Sequence, residues 1–313
     1  MAPLLGYNGY IGTGEESTWG TAVSRSAWIQ RVSSSLQRTV TRQPIRSLTG
    51  PNGPLLRGVF QSSEDVAGNV VFIPDYANKV FAHFLKHAAG QVNTTGSGPY
   101  THTFTPLATL PAGLTIDIGN VSAYEVFEGC KVASLEFAVS AGGLAQVTAA
   151  LIGQTSGGFT TPNSSPPTVP ALTYPIHHGQ AGTAIIAGNT YRLKSFKLAI
   201  NNALARRPAL GLQVTDEPYS TAERTYMAMV ELELINEVLI GDYTGGGTAD
   251  MIIAFTDSPR SLTFTLKDAV IMNAVYNNNQ VGPQTLSLTL QGFDDGTDKG
   301  LSIALVNANS SAV

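Results

Sequence analysis

Apolar and polar positions alternate along most of this chain. Leu135, Phe137 and Val139 fall on one side and Ser134, Glu136 and Ala138 on the other, while Tyr226, Ala228, Val230, Leu232 and Leu234 stand opposite Glu231 and Glu233. Successive side chains of a strand point to opposite faces, so both segments predict strands with one buried and one polar face. The same alternation predicts strands over 192–201, 225–235, 262–267, 285–291 and 301–306, with Gly or Pro between them. The clearest helix runs from Pro74-Asp75 to Gly90. Asp75 caps it, Val80, Phe81, Phe84, Leu85 and Ala88 form its apolar stripe, and Gly90 ends it. Crossover helices are missing, which argues against a parallel α/β sheet.

The strand patterns recur in order. Residues 35–40, 67–72, 114–118 and 143–153 in the first half are matched by 195–200, 227–232, 262–266 and 282–292 in the second. The order predicts a duplicated β unit, with chance as the alternative, because strands buried on one face share such patterns. Residues 155–170, reading TSGGFTTPNSSPPTVP, hold too little apolar content to fold alone and too much Pro for a central strand, and mark the boundary. The expected division is a first β domain over 1–154, a Pro/Gly/Ser/Thr-rich linker over 155–184 and a second β domain over 185–313. Residues 1 to about 60 are rich in turn formers and read as an extended arm, one strand and a long loop over 43–57.

Composition narrows the function. With 313 residues, 43% hydrophobic, the chain can bury a large core, and at 13% charged its surface relies on Ser, Thr, Asn and Gln. Sparse charge leaves strand edges open to association. A net charge of −4 argues against an electrostatic grip on nucleic acid, so contact with DNA is expected to be transient. The single cysteine, Cys130, excludes an intramolecular disulfide and reads as a core residue. The first residues lack a signal-peptide pattern and no window is apolar enough for a membrane helix, so Asn93, Asn120, Asn163 and Asn309 in Asn-x-Ser/Thr matches read as accidents of composition.

Candidate chemistry is thin. His83 and His87 lie one helical turn apart, but Phe84 stands where a zinc protease needs its Glu and no third ligand is specified, so both read as solvated or capping histidines. His177-His178 reads as a loop. Gly12-Thr13-Gly14-Glu15-Glu16-Ser17 lacks the third Gly and the Lys of a phosphate loop and reads as a turn. Asp294-Asp295-Gly296-Thr297-Asp298 lacks EF-hand spacing and reads as an acidic hairpin turn. No catalytic residue, cofactor site or metal site is assigned. Glu231 and Glu233 share the polar face of one strand, either as an ordinary solvent-facing side or as acidic positions lining a passage through which DNA slides.

Glu16-Ser17-Thr18-Trp19-Gly20-Thr21, the strand–helix unit 66–90, the run Lys194-Ser195-Phe196-Lys197-Leu198-Ala199-Ile200-Asn201-Asn202 and the closing Leu286-Ser287-Leu288-Thr289-Leu290 together resemble the tail tube proteins of long-tailed, non-contractile bacteriophages. The resemblance implies a mainly β chain of tandem β-sandwich or barrel tail-tube domains, each antiparallel with at most one flanking helix, plus extended arms and loops. It implies a structural virion protein, not an enzyme and without cofactor, that forms rings stacked into a hollow tube. Trimeric rings with pseudo-sixfold symmetry are favoured over hexamers. Tape measure, tail tip and terminator proteins are the implied partners, and the virion tail, assembled in the host cytoplasm, is the implied location, with no membrane contact. The competing reading is a carbohydrate- or receptor-binding β-sandwich module of a virion that uses Trp19, Trp28 and tyrosines as stacking platforms.

Overall fold

A computed structural model describes residues 8–47, 55–161, 163–182, 184–233, 238–277, 284–294, 296 and 299–312. In chain order the first half carries β1 (Tyr10–Glu16), β2 (Ala27–Ser34), β3 (Gln37–Ser47), β4 (Leu55–Phe72), α1 (Lys79–Ala89), β5 (Gly90–Thr95), β6 (Tyr100–Pro106), β7 (Gly113–Gly119), β8 (Tyr124–Ser140), β9 (Gln146–Gly153) and β10 (Thr155–Thr160). The second carries β11 (Ala184–Ile186), β12 (Asn189–Tyr191), β13 (Leu193–Asn201), β14 (Leu204–Arg207), β15 (Asp216–Ser220), β16 (Thr225–Glu233), α2 (Val238–Gly245), β17 (Thr248–Asp257), β18 (Arg260–Asn277), β19 (Thr285–Gly292) and β20 (Leu301–Asn307). Every strand ladder among the described residues is antiparallel, and the chain is mainly β, as the alternation predicts.

The first half closes on itself through the pairings β1–β2–β4–β9–β8–β7–β1. Strand β8 serves two layers because Gly129, at φ 65, lets it bend: its first part pairs β7 and its second part pairs β9. Between the layers lies α1, in which all residues but Lys79 and Lys86 are buried. Its N-cap is Asn78, whose side chain accepts from the Val80 N–H, and not Asp75. Asp75 instead accepts from the backbone of Ala77 and Tyr174 and anchors the chain after β10.

Pairing order repeats between the halves. In the first, the β2–β3 segment, β4, β9 and β8 lie side by side; in the second, β13, β16, β19 and β18 do. A helix follows the second strand in each. The irregularities coincide as well. A register shift between Val132 and Ser134 on β8 opposes Leu151 and Ala150, and one between Ile271 and Asn273 on β18 opposes Leu290 and Thr289. A further shift between Arg31 and Ser33 is matched by one between Leu193 and Ser195. One sequence match needs correcting: 114–118 lie in β7, whereas 262–266 lie in β18, whose counterpart by pairing is β8. Both segments alternate, and alternation carries no information on which neighbour a strand takes.

Among the described residues, two strand ladders cross between the halves. Strand β8 pairs β13, with Ser140 opposite Ser195 and Ser134 opposite Asn201, and β6 pairs β20, with Phe104 opposite Ile303. The arm expected at the N-terminus is largely sheet. Ile11 is fully buried in β1, and 43–47 and 55–57 belong to a long β3–β4 ribbon; 48–54 lie outside the described residues. Turn formers there punctuate strands whose partners are distant in sequence.

Candidate functional site

The eight-stranded run from the β2–β3 segment through β4, β9, β8, β13, β16 and β19 to β18 has one face that packs on the core and one that does not. Phe137, Phe196 and Leu198 point into the core. Because side chains alternate, their neighbours Glu136, Ala138, Lys197, Ala199, Met229 and Thr289 share the opposite, open face. Register aligns Ser140, Ser195, Glu231, Ser287 and Val275 in one row across β8, β13, β16, β19 and β18. Glu233 lies two residues along, opposite Thr285.

Small and uncharged side chains dominate this surface. Lys197 neutralises Glu136 at 2.6 Å across the β8–β13 junction, and Arg206 of β14 neutralises Asp65 of β4 at 2.6 Å. Glu231 and Glu233 are left as carboxylates of the face without an ion pair among the described residues. An open depression of about 610 Å³ lies between Ala138, Lys197, Met229 and Glu231. Ser140, Ser195 and Ser287 line it with the carboxylate, and its lining holds no histidine to act as their base.

The remaining candidate residues lie elsewhere. His83 and His87 are buried, not solvated, because β1 covers the face of α1 opposite β8. The His83 Nδ1 and Thr13 hydroxyl lie 2.7 Å apart, and His87 Nε2 donates to Glu15, a carboxylate that can only accept. Burial alone would raise the Glu15 carboxyl, but the hydrogen bonds from His87 and Lys86 outweigh it and hold its pKa at about 2. Burial pushes His83 down to about 4, against the opposing charge of Glu15. Glu15 and Glu16, read from sequence as part of a turn, therefore sit in strand β1. Glu16 there accepts from the Thr115 hydroxyl and the Gly129 N–H. Apart from the Gly20 N–H, which also donates to Glu16, the partners named here lie 71 to 113 residues away, and no local pattern signals them. Three His, Cys, Asp or Glu side chains do not converge anywhere among the described residues.

His177 caps a 3-10 turn by accepting from the Gly179 N–H. Asp294 closes its turn with a backbone bridge to Lys299; 295, 297 and 298 lie outside the described residues. Cys130 is fully buried, as expected. Trp19 and Trp28 are half-buried, and the Trp19 indole is tied to the Gly129 carbonyl at 2.9 Å. No helix among the described residues is long and apolar enough to cross a membrane.

The model of the phage tail tube protein family matches residues 6–310. The chain belongs to that family. As a tail tube protein it is a structural component of a bacteriophage virion tail. No curated protein matches the tail tube chain. The match spans both halves of the chain.

Proposed function

We propose that this tail tube protein assembles into rings that stack into a hollow tube, with the open face of the eight-stranded run lining the lumen through which genomic DNA passes. The observation that carries this is one sheet, continuous through both halves, with a single polar face. Its other face is committed to the core, which leaves only this one to meet a channel. Glu231 and Glu233 then repel the DNA backbone, and sparse lysine and arginine give it nothing to grip.

The recurring strand order supports two tube units per chain, 1–154 and 185–313, joined by 155–184, in a phage with a long, non-contractile tail. Three chains per ring give pseudo-sixfold symmetry and about 24 strands, more than the 16–18 that already leave an aqueous channel in porins. The β3–β4 ribbon, with Val59 and Phe60 exposed, and residues 1–7 supply contacts between subunits and rings. Tape measure, tail tip and terminator proteins meet the tube at its lumen and ends. Assembly takes place in the host cytoplasm, and no catalysis is assigned.

Electron microscopy of concentrated purified protein tests this. Hollow stacked rings are expected. Discrete compact particles under every condition, including with tail initiator proteins added, would overturn the tube in favour of a binding module.

A further inference from the structure

Within the chain, the two four-stranded runs are joined where β8, the fourth strand of the first, pairs β13, the first strand of the next. The counterpart of β8 is β18, and that of β13 is the β2–β3 segment. Both counterparts have an unused edge. Residues 273–276 of β18 share a ladder only with β19, and 37–39 of β3 only with β4, among the described residues. Polar backbone groups along a strand edge are a template for another strand.

We infer that β18 of one chain pairs antiparallel with the β2–β3 segment of a second copy, in the register that β8 and β13 already use. This rests on the ring assembly proposed above and specifies its contact. The coinciding register shifts fix the alignment: Val132 and Ser134 correspond to Ile271 and Asn273, and Leu193 and Ser195 to Arg31 and Ser33. Glu136 opposite Ala199 and Ser134 opposite Asn201 then become Val275 opposite Gln37 and Asn273 opposite Thr39.

Side-chain exposure agrees with the alignment. Phe137 is 1% exposed because β13 and its core cover it, whereas Tyr276 at the corresponding place is 40% exposed. A second copy supplies the missing cover.

The alignment extends past the strands. After β13 the chain forms the β14–β15 hairpin, which reaches back over the first unit through Arg206 to Asp65 and Glu217 to Lys131. The distal β3–β4 ribbon occupies the same place in the repeat. On a second copy it lies across β16 and β18, where Val59 and Phe60 find cover. The ion pairs do not transfer, because Thr225 and Val270 take the places of Asp65 and Lys131. That contact is therefore apolar where the internal one is ionic.

Because β18 and the β2–β3 segment are different surfaces, the contact is heterologous and closes only as a ring. Cysteine pairing tests it. Directly opposite cross-strand Cβ atoms lie about 4.5–5.5 Å apart and diagonal ones about 7–8 Å, so only the former come near disulfide reach. The native thiol, Cys130, is buried and does not compete. In assembled protein, Gln37→Cys with Val275→Cys is expected to give disulfide-linked dimers and trimers under oxidation, while Thr39→Cys with Val275→Cys and each single variant remain monomeric on a denaturing gel. Rings by microscopy without cross-linking of the Gln37/Val275 pair, or with preferential cross-linking of the Thr39/Val275 pair, would overturn the register alone. Wild-type protein that forms no rings overturns the proposed function and this contact with it.

Discussion

Phe137 of β8 and Phe264 of β18 lie 4.9 Å apart between ring centroids, so a strand of each half contributes to one aromatic cluster. Phe196 and Phe255 complete it at 6.1 and 5.5 Å from Phe137. Offset and edge-on arrangements at these separations add to the burial of large apolar rings.

Removing Phe137 therefore strikes both halves. Phe137→Ala is expected to destabilise the unassembled subunit by about 3–5 kcal/mol, the range for deleting a buried aromatic ring. Urea unfolding should show one transition moved to lower denaturant. A second transition at the wild-type midpoint would contradict a shared core.

The buried histidines make stability depend on acid. His83 has a folded pKa of about 4 against an ordinary 6.5, so the stability held by its neutral form is whole above about pH 6.5 and declines as the pH falls toward 4. The full decline is about 3 kcal/mol. Glu15, held at about 2, adds a loss below its ordinary 4.5. Asp117 acts in the opposite sense: burial raises it to about 6 although Arg25 opposes the shift, so it offsets most of the His83 loss between about 6 and 3.8, and the net fall comes from Glu15 and from His87, whose pKa burial lowers. Thermal unfolding midpoints of the unassembled subunit should fall from pH 7 to pH 4, and His83→Gln should flatten the slope above pH 4.5. A flat wild-type profile over that range would sink this account.

Truncation separates sheet from arm. Deleting residues 1–7 should leave cooperative unfolding intact. Deleting 1–12 removes the first part of β1, including the fully buried Ile11, and should abolish it. Equal behaviour of the two truncations by circular dichroism melting would contradict the placement of β1.

Charge reversal probes the open face. Glu231→Lys with Glu233→Lys leaves the core side of β16 untouched, so tubes should assemble as before. Reconstituted tails carrying both changes should retain DNA and eject it more slowly, with the delay shrinking as salt rises. Unchanged ejection kinetics in low salt would remove the acidic pair from the lumen.

Strand content was legible because β13, β16, β19 and β20 alternate cleanly, and the helix because Val80, Phe81, Phe84 and Leu85 hold its period. What escaped was long-range. Asp75 looked like a cap, yet the partner it keeps is Tyr174, and Asn78 caps instead. His83 and His87 looked solvated because the covering strand, β1, sits in a Gly-rich stretch that reads as a turn. Glu231 and Glu233 were visible as one face of a strand, but the row that joins Glu231 to Ser140 and Val275 is set by strand pairing, which alternation cannot encode.

A cryo-electron microscopy reconstruction of the tube tests the central claim most directly. The account requires rings of three chains, a continuous barrel passing through β8–β13 within each chain, and Glu231 and Glu233 on the inner wall. Rings with true sixfold symmetry would contradict the two-unit chain, and a barrel with Phe137 facing the lumen would contradict the polar-face account itself.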